Sequence, residues 1–303
     1  MSSTVAFCDG VAAPSQAQEC QSTAADTKYN LPSRPNKGPL PGAAARCTGR
    51  GPGGTDVHSK AEMVLRAFNT WSFKREQPSD TQLMLRMITD AVVAQQPLRF
   101  VLYWGKGPRC EAAAPEVQCM DFLAALASRV AAVHPCGATM VLILTDTHAE
   151  LNGHCREDIG RYFGEIEKMA EKHRFQTRWL GQLVSATGVS ATDVPAQEAD
   201  AEEMLTRLLP SAQKWYHGPG TVREGALTYL RMNLVEQRAV ERAFPGSIFV
   251  TFNGSDLRAL FPRQLPIFYM YSLRRGFGVK PWFLPCEPTA AEPGAAAASA
   301  LQG

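Results

Sequence analysis

Two short stretches, Arg99–Trp104 and Thr139–Thr145, are almost wholly apolar, and a helix-patterned stretch, Glu116–His134, separates them. A run that is apolar on both faces belongs to a strand covered on both sides. Two such strands joined by a dozen or more residues pair in parallel, because a hairpin cannot connect them. This constraint selects an α/β sheet.

The rest of the chain repeats the alternation. Met63, Val64, Ala67, Phe68 and Trp71 recur at helical spacing, as do Leu83, Met87, Ile88, Ala91 and Val92. The second set follows Ser79-Asp80-Thr81-Gln82, a helix-start signature. Further helices are expected over Arg156–Arg174, Ala196–Leu209 and Thr221–Ala243, with a weaker strand over Trp179–Ser185. The aromatic runs Ser247–Phe252 and Pro266–Tyr271, separated by Asn253-Gly254 and a loop, read as antiparallel edge strands. The expected architecture is a Rossmann-like open sheet with parallel core strands, an antiparallel C-terminal edge and helices on both faces.

Composition bounds the domains and partners. Residues 1–56 are rich in Ala, Pro, Gly, Ser and Gln and are expected to form a disordered arm. Gly49–Gly54 superficially resembles a phosphate loop but lacks a preceding strand and a Gly-Lys-Ser/Thr ending. Residues 57–286 are expected to form one α/β catalytic domain, and the Ala/Pro-rich residues 287–303 a disordered tail. With 31 Lys+Arg against 29 Asp+Glu, the chain has no basic excess for nucleic acid. Its longest aliphatic run, Met140–Leu144, falls far short of the ~18–20 residues that span a bilayer. Nothing from Met1 reads as a secretory signal, so a cytoplasmic protein without nucleic-acid or membrane partners is expected. The eight cysteines contain no CxxC pair, which points to reduced, packed thiols rather than zinc ligands or disulfides.

Ligands of open α/β sheets bind beyond the carboxyl ends of the strands. Three such exits are polar here. The first, Tyr103-Trp104-Gly105-Lys106-Gly107-Pro108-Arg109, combines glycines with two cations suited to a carboxylate or phosphate. The second, Thr145-Asp146-Thr147-His148 with Glu150, Asn152 and His154, suits hydrogen bonding to an organic ligand or capping of the following helix. Asp146, His148 and His154 are also side-chain types that bind iron. The third, Thr251–Asp256, contains Asn253-Gly254, a common turn. Lys214–Gly218, and Arg231 with Asn233, form two further clusters. Tyr103, Trp104, Trp215, Tyr216, Phe268, Tyr269 and Tyr271 are core residues unless several of them box a cation. No GxSxG elbow, HExxH, Walker loop or kinase signature is present.

In chain order, Lys106-Gly107-Pro108, Met140–Thr145 ending in Asp146, Ser247–Asn253 and Lys280-Pro281-Trp282-Phe283 resemble the isonitrile synthase (pyoverdine/dityrosine biosynthesis) family. The matching pieces are Gly105–Pro108, His134–Ala138, Thr145-Asp146, Ser247–Thr251 and Pro281-Trp282, within roughly residues 60–285. The chain departs from that family at Thr145–His154, where members carry a Ser-Asp-Gly-Arg-Val-Phe-like segment, and it lacks their Pro-x-Lys-Ser segment. The resemblance implies the joining of an amino acid to a ketose phosphate, with Lys106 reacting with the sugar. More loosely, the chain is similar to azetidine-2-carboxylate synthases of peptide-antibiotic clusters. That similarity implies S-adenosylmethionine as the substrate, no required cofactor and a nonribosomal peptide synthetase downstream.

Cyclisation of S-adenosylmethionine fits the residues. Arg109 or Lys106 would anchor the carboxylate, and Asp146 or Asn152 would orient the amine. Tyr103, Trp104 and Tyr216 would box the sulfonium, and in-line placement would supply most of the rate. The leading expectation is therefore an amino-acid tailoring enzyme of specialised metabolism, releasing methylthioadenosine and azetidine-2-carboxylate. An isonitrile synthase acting on an aromatic amino acid and ribulose 5-phosphate is the alternative. A methyltransferase ranks third, because Asp146 lies well beyond the ~20-residue spacing from a glycine loop. The non-enzyme alternative is a ligand-binding or scaffold protein using the N-terminal arm. Candidate catalytic residues are Asp146, Asn152, His148 and Lys106; candidate binding residues are Tyr103, Trp104, Gly105, Arg109, Tyr216, Arg231 and Asn253.

Overall fold

A computed structural model describes residues 54–105, 107–109, 111–189, 198–258 and 265–271. Most of the N-terminal arm, Lys106, Cys110, Lys280–Phe283 and the C-terminal tail lie outside the described residues. The two apolar runs become β1 (Leu98–Trp104) and β2 (Ala138–Leu144), paired in parallel along their whole length from Leu98–Ala138 to Trp104–Leu144. β1 also pairs in parallel with β4 (Ile248–Thr251), and β2 with β3 (Gln176–Trp179). The sheet is completed by β5 (Ile267–Tyr269), in the order β3-β2-β1-β4-β5.

The α/β class and the parallel core agree with the sequence reading, but the expected antiparallel edge does not. β5 runs parallel to β4, with Phe249 opposite Ile267 and Thr251 opposite Tyr269. Asn253-Gly254 does not close a hairpin; it leads into a short helix, Ser255–Arg258. Among the described residues, antiparallel pairing is confined to the isolated bridge between Lys74 and Met270. The segment around that bridge covers the outer edge of β5: Arg75 N donates to Tyr269 O (2.8 Å), and Ser79 N to Ile267 O (3.0 Å). An open edge would present unpaired backbone groups to other chains.

Strand alternation divides the core. Phe100, Leu102 and Trp104 of β1, with Met140, Leu142 and Leu144 of β2, face α1 (Gly54–Phe68), α2 (Thr81–Val93), α3 (Ala114–Ala131) and α5 (Arg156–Lys172). Phe68 packs edge-on against both Phe100 and Phe268, with centroids 5.3 and 5.2 Å away. Val101, Val141, Ile143 and Phe249 face the other way, against α6 (Leu180–Thr187) and α8 (Val222–Ala243). A third cluster joins α7 (Glu198–Trp215) to α8. α1 begins inside the stretch read as the arm. α2 starts where its signature predicts, with Asp80 Oδ1 accepting from Leu83 N at 2.8 Å.

Two boundaries moved for packing reasons. The stretch Trp179–Ser185, expected to be a strand, is helical beyond Trp179: β3 ends at that residue, and Leu180 and Leu183, two positions on one face of α6, turn onto the sheet. α7 continues through Pro210, because Ala212 and Trp215 beyond it bury against α8 and outweigh the lost backbone bond. Among the described residues, no helix is long and apolar enough to cross a membrane. Leu142 is fully buried at the centre of the sheet. Leu142→Ala should lower unfolding stability by about 2–5 kcal/mol in urea titrations.

Candidate functional site

Directly after β2, the chain forms α4 (Asp146–Leu151), a short helix in the stretch read as a polar strand exit. Thr145, fully buried, fastens this exit to the first: its Oγ1 donates to the carbonyls of Trp104 (3.1 Å) and Gly105. Gly105 turns away from β1 at φ +77°, a left-handed conformation that a side chain would strain. The exits of β1 and β2 are thereby held side by side.

The polar residues of α4 then reach two neighbouring helices, α6 and α8. Asp146 Oδ1 accepts from Gly181 N at the start of α6 (3.0 Å). Thr147 Oγ1 donates to Glu236 Oε1 of α8 (2.6 Å), and His148 Nε2 lies 2.7 Å from Glu236 Oε2. His148 and Glu236 are both almost completely buried. The His148 ring stands edge-on to Tyr103 (centroids 5.9 Å) and Tyr229 (5.1 Å). Asn152 caps α4: its Nδ2 donates to His148 O (2.8 Å), and its Oδ1 accepts from His217 N (3.4 Å) in the α7–α8 loop. His154 lies against the first exit, where a Cβ on Gly107 would sit 2.5 Å from His154 Nε2.

α8 contributes more than Glu236. Tyr229, Asn233, Glu236 and Gln237 recur at helical spacing on its buried face. Asn233 Nδ2 reaches Tyr229 Oη at 3.5 Å, and Gln237 Nε2 donates to Asn233 Oδ1 at 2.6 Å. Sequence reasoning singled out Asn233 but missed Glu236 and Gln237. The available signal was polar residues on the helix face that Leu230 and Val240 mark as buried.

The structure distributes the remaining candidates elsewhere. Trp104 is fully buried in the core on the face opposite Tyr103, as strand alternation requires. Tyr216 packs where Cβ atoms on Gly218 and Gly225 would strike its ring, and its hydroxyl donates to Pro219 O. The expected aromatic box of Tyr103, Trp104 and Tyr216 is therefore not assembled. Trp215, Phe268 and Tyr269 are also core residues. Arg231 is exposed on α8, pointing away from Asn233, and Asn253 follows β4 with its N–H on Thr251 Oγ1 (3.1 Å). Neither joins the His148 cluster.

Arg109 is drawn into a different network. Its Nη1 lies 2.9 Å from both oxygens of Glu116, a fully buried residue of α3 that also accepts from Ala113 N (2.9 Å) and Tyr162 Oη (3.1 Å). The guanidinium expected to hold a substrate carboxylate holds one of the chain's own. Burial and the nearby Glu116 charge push the Tyr162 hydroxyl far up, so Tyr162 stays protonated as a donor.

Burial also raises the pKa of Asp146, opposed by its backbone hydrogen bonds with Gly181 and Thr147, and increased slightly by Glu150. Burial lowers that of His154, with Asp158 opposing and His217 adding to the shift. Asp146, His148 and His154 thus face three different elements. Among the described residues, no group of three or more His, Cys, Asp or Glu side chains is placed to hold a metal ion.

No protein-family profile and no curated protein sequence matches this chain. Among solved structures, it is similar to the PvcA protein from Pseudomonas aeruginosa, with a TM-score of 0.52 and 16% identity over 70% of this chain and 83% of that one. It also aligns with a tyrosyl-tRNA synthetase from Archaeoglobus fulgidus, complexed with L-tyrosine, at TM-score 0.41 and 15% identity over 71% and 64% of the two chains. The Leishmania major tyrosyl-tRNA synthetase in complex with tyrosinol aligns at TM-score 0.44 and 12% identity, over 72% of this chain and 31% of that one. At these identities the likeness to PvcA establishes a shared α/β fold.

The two carboxylates separate by mutation. Arg109→Ala should cost about 3–5 kcal/mol of unfolding stability, because it strands Glu116 as a buried charge. For Asp146, burial sets the folded pKa above the unfolded one, so between the two values the folded state holds more protons. Stability contributed by its protonated form is lost as pH rises through the folded pKa. Asp146→Asn should match wild type in acid and exceed it in stability at neutral pH, as urea titrations across pH will show.

Proposed function

We propose that this chain is an amino-acid-converting enzyme of small-molecule biosynthesis, with its reaction at the carboxyl ends of β1 and β2. Its specific form is conversion of an aromatic amino acid and ribulose 5-phosphate to an isonitrile. The observation that supports it most is the polar cluster on α4, where Asp146 and His148 are held by α6 and α8 beside the exit of β1. Open α/β sheets bind ligands at this end. The ordered motifs resemble isonitrile synthases, and the fold that carries them is shared with PvcA.

In this reading Lys106, as the resemblance implies, takes the sugar carbonyl. The substrate ammonium must lose a proton before its nitrogen attacks carbon, and Asp146 and His148 are the nearby acceptors. S-adenosylmethionine cyclisation has less support, because Trp104 and Tyr216 do not face a common site with Tyr103. A binding protein without catalysis would need none of these proton acceptors.

Mass spectrometry tests the proposal: purified full-length protein is incubated with L-tyrosine or L-tryptophan plus ribulose 5-phosphate, and separately with S-adenosylmethionine alone. An isonitrile is expected only from the complete first mixture. Lys106→Ala should abolish it, and His148→Gln should reduce it by about a hundredfold or more. Methylthioadenosine with a cyclic C4 amino acid from the second mixture would instead establish the cyclase. Neither product, with ligand binding intact in Asp146→Ala, would favour the binding protein.

A further inference from the structure

Glu236 has no part in the sequence motifs, yet it grips two consecutive residues of α4. Thr147 donates its hydroxyl to Oε1 (2.6 Å), and His148 places Nε2 at 2.7 Å from Oε2. Both carboxylate oxygens are engaged, so Glu236 cannot rotate without releasing one partner. Tyr103 and Tyr229 bracket the imidazole edge-on. Among the described residues, no group hydrogen-bonds the other ring nitrogen, Nδ1.

A carboxylate only accepts, and a neutral imidazole carries a single N–H. A contact this short to Oε2 therefore places the hydrogen on Nε2. We propose that Glu236 is a positioning residue that holds His148 in the Nε2–H tautomer, making Nδ1 the atom that takes the proton from the ammonium of an amino-acid substrate. This inference rests on reading the β2 exit as a proton-transfer site. The step balances: the N–H bond of the ammonium breaks, its electron pair stays on the substrate nitrogen, and the proton bonds to Nδ1. The resulting imidazolium is compensated by the Glu236 carboxylate already in contact with it. An isolated cation at this depth would be strongly disfavoured.

The test is long-range 15N–1H NMR of the full chain carrying 15N-histidine, at mildly alkaline pH, with His148 assigned by comparison with His148→Gln. Wild type should show His148 protonated at Nε2 and unprotonated at Nδ1. Glu236→Gln presents both a donor and an acceptor, so the exclusive Nε2–H signature should give way to a mixture. Turnover of the amino acid should then fall by about a hundredfold to ten-thousandfold with KM nearly unchanged. Thr147→Val frees one carboxylate oxygen but keeps the bond to His148, so it should retain the Nε2–H signature with a smaller loss of turnover.

An Nδ1–H signature in wild type overturns the inference without recourse to any variant that fails to fold. So does a folded Glu236→Gln protein with unchanged tautomer and turnover. If wild type shows Nε2–H and Glu236→Gln loses it, but wild type converts no amino acid, the hold of Glu236 on His148 stands and the proposed reaction falls.

Discussion

The parallel pairing of β1 with β2 is the constraint on which the rest depends. Both strands are covered on both faces, so neither tolerates a shift in register that would strand polar backbone among apolar side chains. Parallel pairing demands a crossover, and α3 supplies it. It also brings the two strand exits to the same end of the sheet. Thr145 then ties them together through the carbonyls of Trp104 and Gly105. The site is thus a consequence of the pairing, not an addition to it.

Two buried carboxylates, one on each side of the sheet, show how similar physics serves different ends. Glu116 is satisfied by Arg109, Tyr162 and the Ala113 amide. Its principal partner carries a permanent charge, so the network braces the first exit against α3 and α5 and has little freedom to change state. Glu236 is satisfied instead by a hydroxyl and an imidazole. Of the imidazole's two ring nitrogens, only Nε2 is engaged by Glu236. The first network is built for rigidity, and the second has chemical capacity.

The path of the chain around β5 explains where local reasoning failed. Asn-Gly between two apolar runs is a strong hairpin signal. Here the residues after β4 open into a helical turn, and β5 gains its outer cover from Arg75 and Ser79, almost two hundred residues earlier in sequence. A local turn preference yields to the burial available when β5 pairs in parallel with β4. The same competition ends β3 at Trp179 and carries α7 through Pro210.

By itself the sequence determined the α/β class, the parallel pairing of the two apolar runs, most helix spans and the polar character of the β2 exit. Each is written in local periodicity and burial, which a single stretch of chain carries. The tertiary structure alone decided which polar residues meet. Alternation along β1 sends Trp104 to one face and Tyr103 to the other, which divides the expected aromatic box. Arg109 is claimed by Glu116, and His148 finds Glu236 on a helix far away in sequence. A side chain's partner is set by which elements pack together, and that depends on the whole core at once.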